Sequence, residues 1–317
     1  MCALYLTEAD VQRLLTIDIA IDVCEEAFRR LAAGEAENIP RARAQAPGIV
    51  LHAMSAAAGY LGLVGWKCYT TTRQGARFHV GLYDASGSLL AMIEADKLGQ
   101  LRTGATTGVA VEWMADPQAA EMGLFGAGWQ AEMQLAAVAR VRPIKIAYVY
   151  SRNEQKRRDF AERMSDQLGI EVRPVDRPQE AAEELPIVVT ATTSREPVFD
   201  GGSLAEGTLV CAVGSNWLNR AEIDSNVIRR ADNIVCDSIQ ACQIEAGDFA
   251  DALEKGVFDW PRAVELSQVV AGRATARNTR ESIVLFKSVG LAIEDVALGG
   301  KLLELAREQH VGRELPF

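Results

Sequence analysis

The sequence has no block of basic residues, no cysteines in CxxC spacing, and no apolar run near the length of a membrane span. Each gap excludes a class of function. Without clustered Lys and Arg to neutralise phosphates, nucleic acid is excluded as the main partner; the formal net charge is -10, with acidic and basic residues mixed along the chain. Small anions remain open, because they need only one or two local cations. Six cysteines (Cys2, Cys24, Cys68, Cys211, Cys236, Cys242) are scattered, and they read as reduced thiols rather than disulfides or zinc ligands, so no metal site is expected. A membrane helix needs about 20 consecutive apolar residues, and no segment approaches that. The opening stretch MCALYLTEADVQRLL carries acidic residues where a secretory signal needs cations. Neither repeats nor low-complexity segments are present. A soluble, cytoplasmic protein with no membrane partner is expected.

What is present suffices for two compact domains: 317 residues, 49% of them hydrophobic. Thr7 with Asp10 marks a helix start, and apolar spacing continues through Leu31. Residues 39–93 carry the strand-like runs IVLHAM, YLGLVGWKCYT and FHVGLYDASGSLLAMIEA, with SG at 86–87 as a hairpin turn. From Leu101 the run LRTGATTGVAVEWMA is helical, and Pro117 closes this region. A regular alternation follows. EMGLFG and KIAYVYS read as strands, WQAEMQLAAVARV and NEQKRRDFAERMSDQLG as helices, and EVRPV, IVVTATT, LVCAVG and NIVCDS as further short strands. Strand–helix alternation with apolar strands predicts an α/β fold, a doubly wound parallel sheet covered on both faces. The segment VLFKSVGLAIEDVALGGKLLELAREQ predicts a strand and then a long helix returning to the first domain. The domains are expected at 1–116 plus 289–317, antiparallel or mixed, and at 117–288, doubly wound.

The most informative stretch is Gly126-Ala127-Gly128-Trp129-Gln130-Ala131, a G-x-G-x-x-A motif between a strand and a helix. Gly126 permits the tight turn, Gly128 lets a pyrophosphate approach the backbone, and Ala131 keeps the helix close to the strand. N–H groups at the helix start, helped by the helix dipole, then hold the anion. The next strand ends in Ser151-Arg152-Asn153. An NAD site often places Asp or Glu there, whereas a hydroxyl and a guanidinium suit a 2′-phosphate, so NADP is preferred over NAD. The bland reading is that Arg152 is a solvated helix-start residue. Ligands of doubly wound folds bind beyond the carboxyl ends of strands, which nominates Thr190, Thr192 and Thr193, and Ser215, as further cofactor contacts.

Several motifs together resemble the ornithine cyclodeaminase/mu-crystallin family: LRTGATTGVA at 101–110, GAGWQA at 126–131, TATTSREPVF at 190–199, AVGSNWLNRAEID at 212–224, IEAGD at 244–248 and FKSVGLAIED at 286–295. The similarity covers nearly the whole chain in the expected order. It implies a Rossmann-type domain between the two parts of a second, α+β domain, which is built from both chain ends and serves substrate binding and dimerisation. It also implies a homodimer joined through the sheets of that domain. The activity implied is NAD(P)-dependent interconversion of small α-amino and α-imino acids, as a dehydrogenase, a cyclic ketimine reductase or a cyclodeaminase. A non-catalytic NADPH-binding protein is the reading from another class.

Candidate residues can be weighed in that light. Lys67 lies in the apolar run GWKCYT, where a cation must face a cleft or pair with an anion; the resemblance places it at the substrate carboxylate and in the catalytic set. Arg102 opens a helix of tiny residues and can grip a carboxylate bidentately, the role the resemblance also assigns it. Arg41 and Arg43 point the same way on an extended segment; the family's P-x-R spacing favours Arg43, leaving Arg41 as a surface charge. Asp224 can cap the helix SNVIRRA; the resemblance places it facing the substrate nitrogen, with Glu222 a weaker competitor. Val289 and Gly290 resemble the segment that closes over nicotinamide. Where ornithine-cyclising relatives carry an acidic side chain, this sequence has His52, a poor partner for an ammonium group. His79 is placed near the site, as an acid toward an imine or as a hydrogen-bonded core residue, and His310 at the surface. Arg73 and Arg77 read as a solvated loop or as readers of a second acidic group. Trp66 and Trp129 read as packing or as neighbours of the cofactor.

Overall fold

A computed structural model describes residues 2–316. The chain forms two compact units: residues up to 105 together with those from 290 onward, and residues 106–289. The helix Asp96–Met114 is continuous across residue 105, because no proline interrupts it.

The first unit begins with β1 (Leu4–Leu6), α1 (Glu8–Leu14) and α2 (Ile17–Ala33). Thr7 and Asp10 form the expected capping box. The helix does not run on to Leu31, because Leu15 is extended and Thr16 caps a second helix, which ends at Gly34 in the left-handed region. An antiparallel meander follows: β2 (Ala36–Ala46), β3 (Ile49–Ala58), β4 (Leu63–Thr72), β5 (Gly75–Asp84) and β6 (Leu89–Glu94). The pairing of β2 with β3 shifts register between Ile39 and Ala42; Pro40, which has no N–H to donate, sits at the shift. α3 (Asp96–Met114) then begins before the expected Leu101.

The second unit alternates strand and helix. β7 (Glu121–Phe125), α4 (Trp129–Val141), β8 (Ile146–Tyr150), α5 (Glu154–Leu168), β9 (Glu171–Pro174), β10 (Ile187–Thr190) and β11 (Leu209–Ala212) come first. α6 (Ser225–Arg230), β12 (Asn233–Cys236), α7 (Ile239–Glu245), α8 (Ala250–Glu254), β13 (Ala263–Glu265), α9 (Leu266–Val270) and β14 (Val284–Lys287) follow. The eight strands form one sheet in the order β13-β12-β14-β11-β10-β7-β8-β9, parallel throughout. Every residue of β10, β11 and β14 is buried, the expected consequence of covering both faces. The α/β expectation is met.

The chain then returns to the first unit as α10 (Ala292–Glu308) and β15 (Arg313–Glu314), completing a seven-stranded mixed sheet in the order β15-β1-β6-β5-β4-β3-β2. α10 lies on one face of this sheet, over β2 to β5, and against α2. Strand alternation therefore gives β4 a buried side with Gly65, Lys67 and Tyr69 and an open side with Val64 and Trp66. No helix among the described residues is long and apolar enough to cross a membrane.

Gly65 sets how closely α10 approaches. A Cβ there would lie 2.7 Å from the Gly81 carbonyl oxygen and 2.9 Å from Val296 Cγ2. Gly65→Ala is expected to destabilise the protein by ~1–3 kcal/mol through overpacking, read as a lower denaturant midpoint at an unchanged m-value.

Candidate functional site

The first unit gathers charge on the buried face of its sheet. Lys67 is 1% exposed, and its Nζ donates to Asp295 Oδ1 at 2.7 Å. Arg102, in the first half of α3, donates from Nη1 to Glu294 Oε2 at 2.8 Å, and its Nε lies 3.4 Å from Asp295 Oδ1. Glu294 and Asp295 stand in the first turn of α10 and are fully buried. Burial pushes the Lys67 ammonium down to about 8, with Arg102 nearby adding to the effect and Asp295 opposing it. Burial alone would also lower the Arg102 guanidinium, but Asp295 and Glu294 outweigh it and hold it raised. Asp295 Oδ2 is buried and has no hydrogen-bond partner among the described residues.

Arg41 corrects one expectation. It is buried, not a surface charge; its Nη2 donates to the Gly290 carbonyl at 3.4 Å, and its guanidinium lies 5.9 Å from the Tyr69 ring centroid. Arg43 is half-buried and opposes His52 across β2 and β3. The shared direction of the two arginines was legible, but which one sits deeper depends on the register shift at Pro40. Gly290 has φ +82, and a Cβ on it would lie 2.6 Å from Arg102 Nη1. The close approach of this guanidinium requires glycine.

His52 stacks on Tyr69 with centroids 4.1 Å apart, and Tyr69 stacks on Phe78 at 4.6 Å. His52 Nε2 lies 3.0 Å from Thr71 Oγ1. Burial, then Arg43 and Arg41, push the imidazole down to about 4, so it is neutral at physiological pH. His79 is not brought to this cluster. It pairs with Cys68, whose side chain points away from Lys67, and it is exposed on the open face; a strand offset of one residue reverses the face. Arg73 and Arg77 are exposed at the β4–β5 turn, and Arg77 Nη1 reaches Asp96 at 3.3 Å.

The second unit carries its own set of candidate residues. Gly126 has φ +115, and a Cβ there would lie 2.5 Å from the Ala191 carbonyl oxygen, so only glycine fits. Ala127 follows, half-buried, and Gly128 opens α4 without a side-chain cap. A Cβ on Gly128 would meet nothing within 4 Å, which leaves room over the helix start. Gln130 Oε1 is buried without a hydrogen-bond partner among the described residues, whereas Trp129 is 43% exposed. Ala131 is fully buried against the sheet. These features fit a dinucleotide pyrophosphate, which needs a Cβ-free approach to helix N–H groups. At the end of β8, Ser151 is half-buried and Arg152 exposed, while the Asn153 side chain caps α5 through Lys156 N at 2.9 Å.

Thr190 is fully buried, and its hydroxyl donates to Glu222 Oε2 at 3.0 Å. Thr192 is half-buried and also donates its hydroxyl to Glu222, whereas Thr193 is exposed. The Ser215 carbonyl accepts from Lys287 Nζ at 2.8 Å. Val289 N donates to Asp237 Oδ2 at 2.7 Å. Asp224 caps α6: it accepts from Val227 N at 3.0 Å and Gly201 N at 3.3 Å.

Five charged residues went unassigned in the sequence reading: Asp237, Asp248, Lys287, Glu294 and Asp295. All are buried. Four of them lie inside the IEAGD and FKSVGLAIED motifs, which was the available signal, but their partners are set by distant parts of the chain. The Lys67 ammonium titrates low enough to be tested. Affinity for a small carboxylate lacking a titratable amine is expected to fall as pH rises through about 8, by up to about tenfold per unit. Lys67→Gln is expected to abolish that dependence, and calorimetric titration across pH 6.5 to 9.5, roughly the Lys67 value plus and minus 1.5 units, measures both.

The sequence profile of the ornithine cyclodeaminase/mu-crystallin family matches residues 2–310. A Δ1-pyrroline-2-carboxylate reductase of Bacillus cereus is 36% identical over 234 residues, 73% of this chain and 71% of the relative. The solved Thermococcus litoralis Δ1-pyrroline-2-carboxylate reductase, in complex with NADH and L-proline, superposes with a TM-score of 0.93 at 33% identity, covering 98% of this chain and 100% of that one. An archaeal alanine dehydrogenase dimer with bound NAD superposes with a TM-score of 0.94 at 30% identity, over 100% of both chains.

Proposed function

This chain belongs to the ornithine cyclodeaminase/mu-crystallin family, and from that membership we propose that it is a nicotinamide-dependent oxidoreductase acting at the Cα–N bond of a small imino or amino acid. The observation that carries this reading is the buried cluster of Lys67, Arg102 and Arg41 beside Glu294 and Asp295. Cations held this way can grip a carboxylate with little further ordering, since their rotamers are already set by ion pairs and packing. When bound, the nicotinamide would supply a hydride to the carbon of a protonated imine, whose nitrogen already carries the proton that the product amine keeps. The chain's own groups hold the carboxylate and manage the proton. Asp295 Oδ2 is available to accept an N–H. Asp224 is the carboxylate the family resemblance assigns to the substrate nitrogen; bonds from Val227 N, Gly201 N and Asn226 Nδ2 fix its orientation, and Oδ1 retains a second lone pair.

The GAGWQA turn is the proposed pyrophosphate cradle. Arg152 and Ser151 favour NADPH over NADH, because a 2′-phosphate gains a guanidinium and a hydroxyl where an acidic residue would repel it. The proposed assembly is a homodimer through the open face of the first unit's sheet, where Ile39, Ile49, Leu51 and Val64 are exposed.

His52 favours a reductase or dehydrogenase over a cyclodeaminase. A neutral imidazole beside two arginines gives no hold on the second ammonium of a diamino acid. Incubation with NADPH or NADH and Δ1-pyrroline-2-carboxylate or Δ1-piperideine-2-carboxylate is expected to consume reduced nicotinamide, faster with NADPH. No consumption with these substrates or with pyruvate and ammonia would refute the reading. His52→Glu is expected to tighten binding of ornithine by about tenfold, the scale of one charge-assisted hydrogen bond, measured by competition against the imino acid.

A further inference from the structure

Glu222 is 0% exposed and lies in the loop between β11 and α6, where neither a strand nor a helix requires a carboxylate. Its Oε1 accepts from Thr192 N at 2.6 Å and Thr192 Oγ1 at 2.7 Å. Its Oε2 accepts from Gly214 N at 2.6 Å and Thr190 Oγ1 at 3.0 Å. One side chain thus joins the carboxyl ends of two neighbouring parallel strands, β10 and β11. Gly214 allows this closeness: a Cβ there would lie 2.4 Å from both Glu222 Oε1 and Thr192 N.

Glu222 is itself held from behind. Asp248 Oδ1 accepts from Glu222 N at 2.6 Å and Ile223 N at 3.3 Å. Asp248 Oδ2 pairs with Lys287 Nζ at 2.7 Å, and the same ammonium donates to the Ser215 carbonyl just beyond β11. The shelf that Glu222 secures, residues 190–192, is the surface on which the glycine turn rests, since the Ala191 carbonyl oxygen would meet any Cβ on Gly126 at 2.5 Å.

We propose that Glu222 is a positioning residue for the dinucleotide: by clamping residues 190–192 to Gly214 it fixes the shelf beneath the Gly126 turn, and so the height and angle of the phosphate-binding loop. The proposal rests on the nicotinamide-binding reading above. It assigns Glu222 no contact with the reacting atoms. A glutamine cannot replace it, because each carboxylate oxygen accepts from a backbone N–H, Thr192 N at Oε1 and Gly214 N at Oε2, and an amide nitrogen in either place would face an N–H that cannot accept.

The test is binding of NADPH and NADH by fluorescence titration, at a temperature where every variant is folded by circular dichroism. Glu222→Gln is expected to raise the Kd of the preferred cofactor by ~10-fold or more, with the substrate KM at saturating cofactor changed less than twofold. Met164→Ala, in the buried face of α5, serves as a comparably destabilised control and is expected to keep the wild-type Kd. An unchanged Kd in Glu222→Gln, or an equal rise in Met164→Ala, would overturn the proposal. Should Glu222→Gln fail to fold, Thr190→Val removes one donor and leaves the carboxylate its other three; a few-fold weakening is expected, and none would overturn the proposal. If the wild-type protein bound neither cofactor, the underlying reading would fall, an outcome separate from a clamp without effect.

Discussion

Lys67, Arg102, Glu294 and Asp295 are removed from water together in the first unit. A charge buried alone costs several kcal/mol even after the surroundings relax, so each of the four depends on the others. That dependence explains several features at once. The chain end must come back as α10, because the carboxylates are in its first turn. β4 must carry Gly65, because a side chain there would push α10 off the sheet. Gly290 must lack a Cβ, because the Arg102 guanidinium occupies that space. The split domain is thus a consequence of electrostatic pairing as well as of apolar burial.

The second unit solves a related problem at its strand ends. Parallel strands end in irregular loops, where backbone N–H groups have no ladder partner and still require acceptors. Buried carboxylates supply them: Glu222 for Thr192 and Gly214, Asp248 for Glu222 and Ile223, and Asp237 for Val289. Lys287 balances part of that charge and stays protonated, since Asp248 and Glu222 outweigh the lowering effect of its burial. Burial raises the Glu222 carboxyl, with Lys287 opposing. The edge of the sheet is therefore shaped by ionic and hydrogen-bonded contacts rather than by apolar packing, which suits a surface that must be both rigid and polar.

Legibility differed between elements for physical reasons. The helices at 129–141 and 154–168 and the strands around them could be read because 3.6-residue and apolar patterns are local, and Asn153 and Gly169 mark both ends of the second helix. The strands β1, β13 and β15 are only two or three residues long and carry no period to read. His79 was misplaced because alternation tells which residues share a face but not which face is covered, and only the position of α10 decides that. Arg41 was underrated because a register shift at Pro40 is invisible without the partner strand.

The sequence by itself determined the order of elements, the glycine turn between β7 and α4 and the identity of Lys67 and Arg102 as cations that could not stand in apolar surroundings unpaired. These follow from chemistry within a few residues of chain. Only the tertiary structure decided what they pair with. Lys67 and Asp295 are 228 residues apart, and Glu222 meets Thr190 across 32 residues. Such contacts depend on how whole elements pack, and nothing in the local sequence specifies a partner's distance.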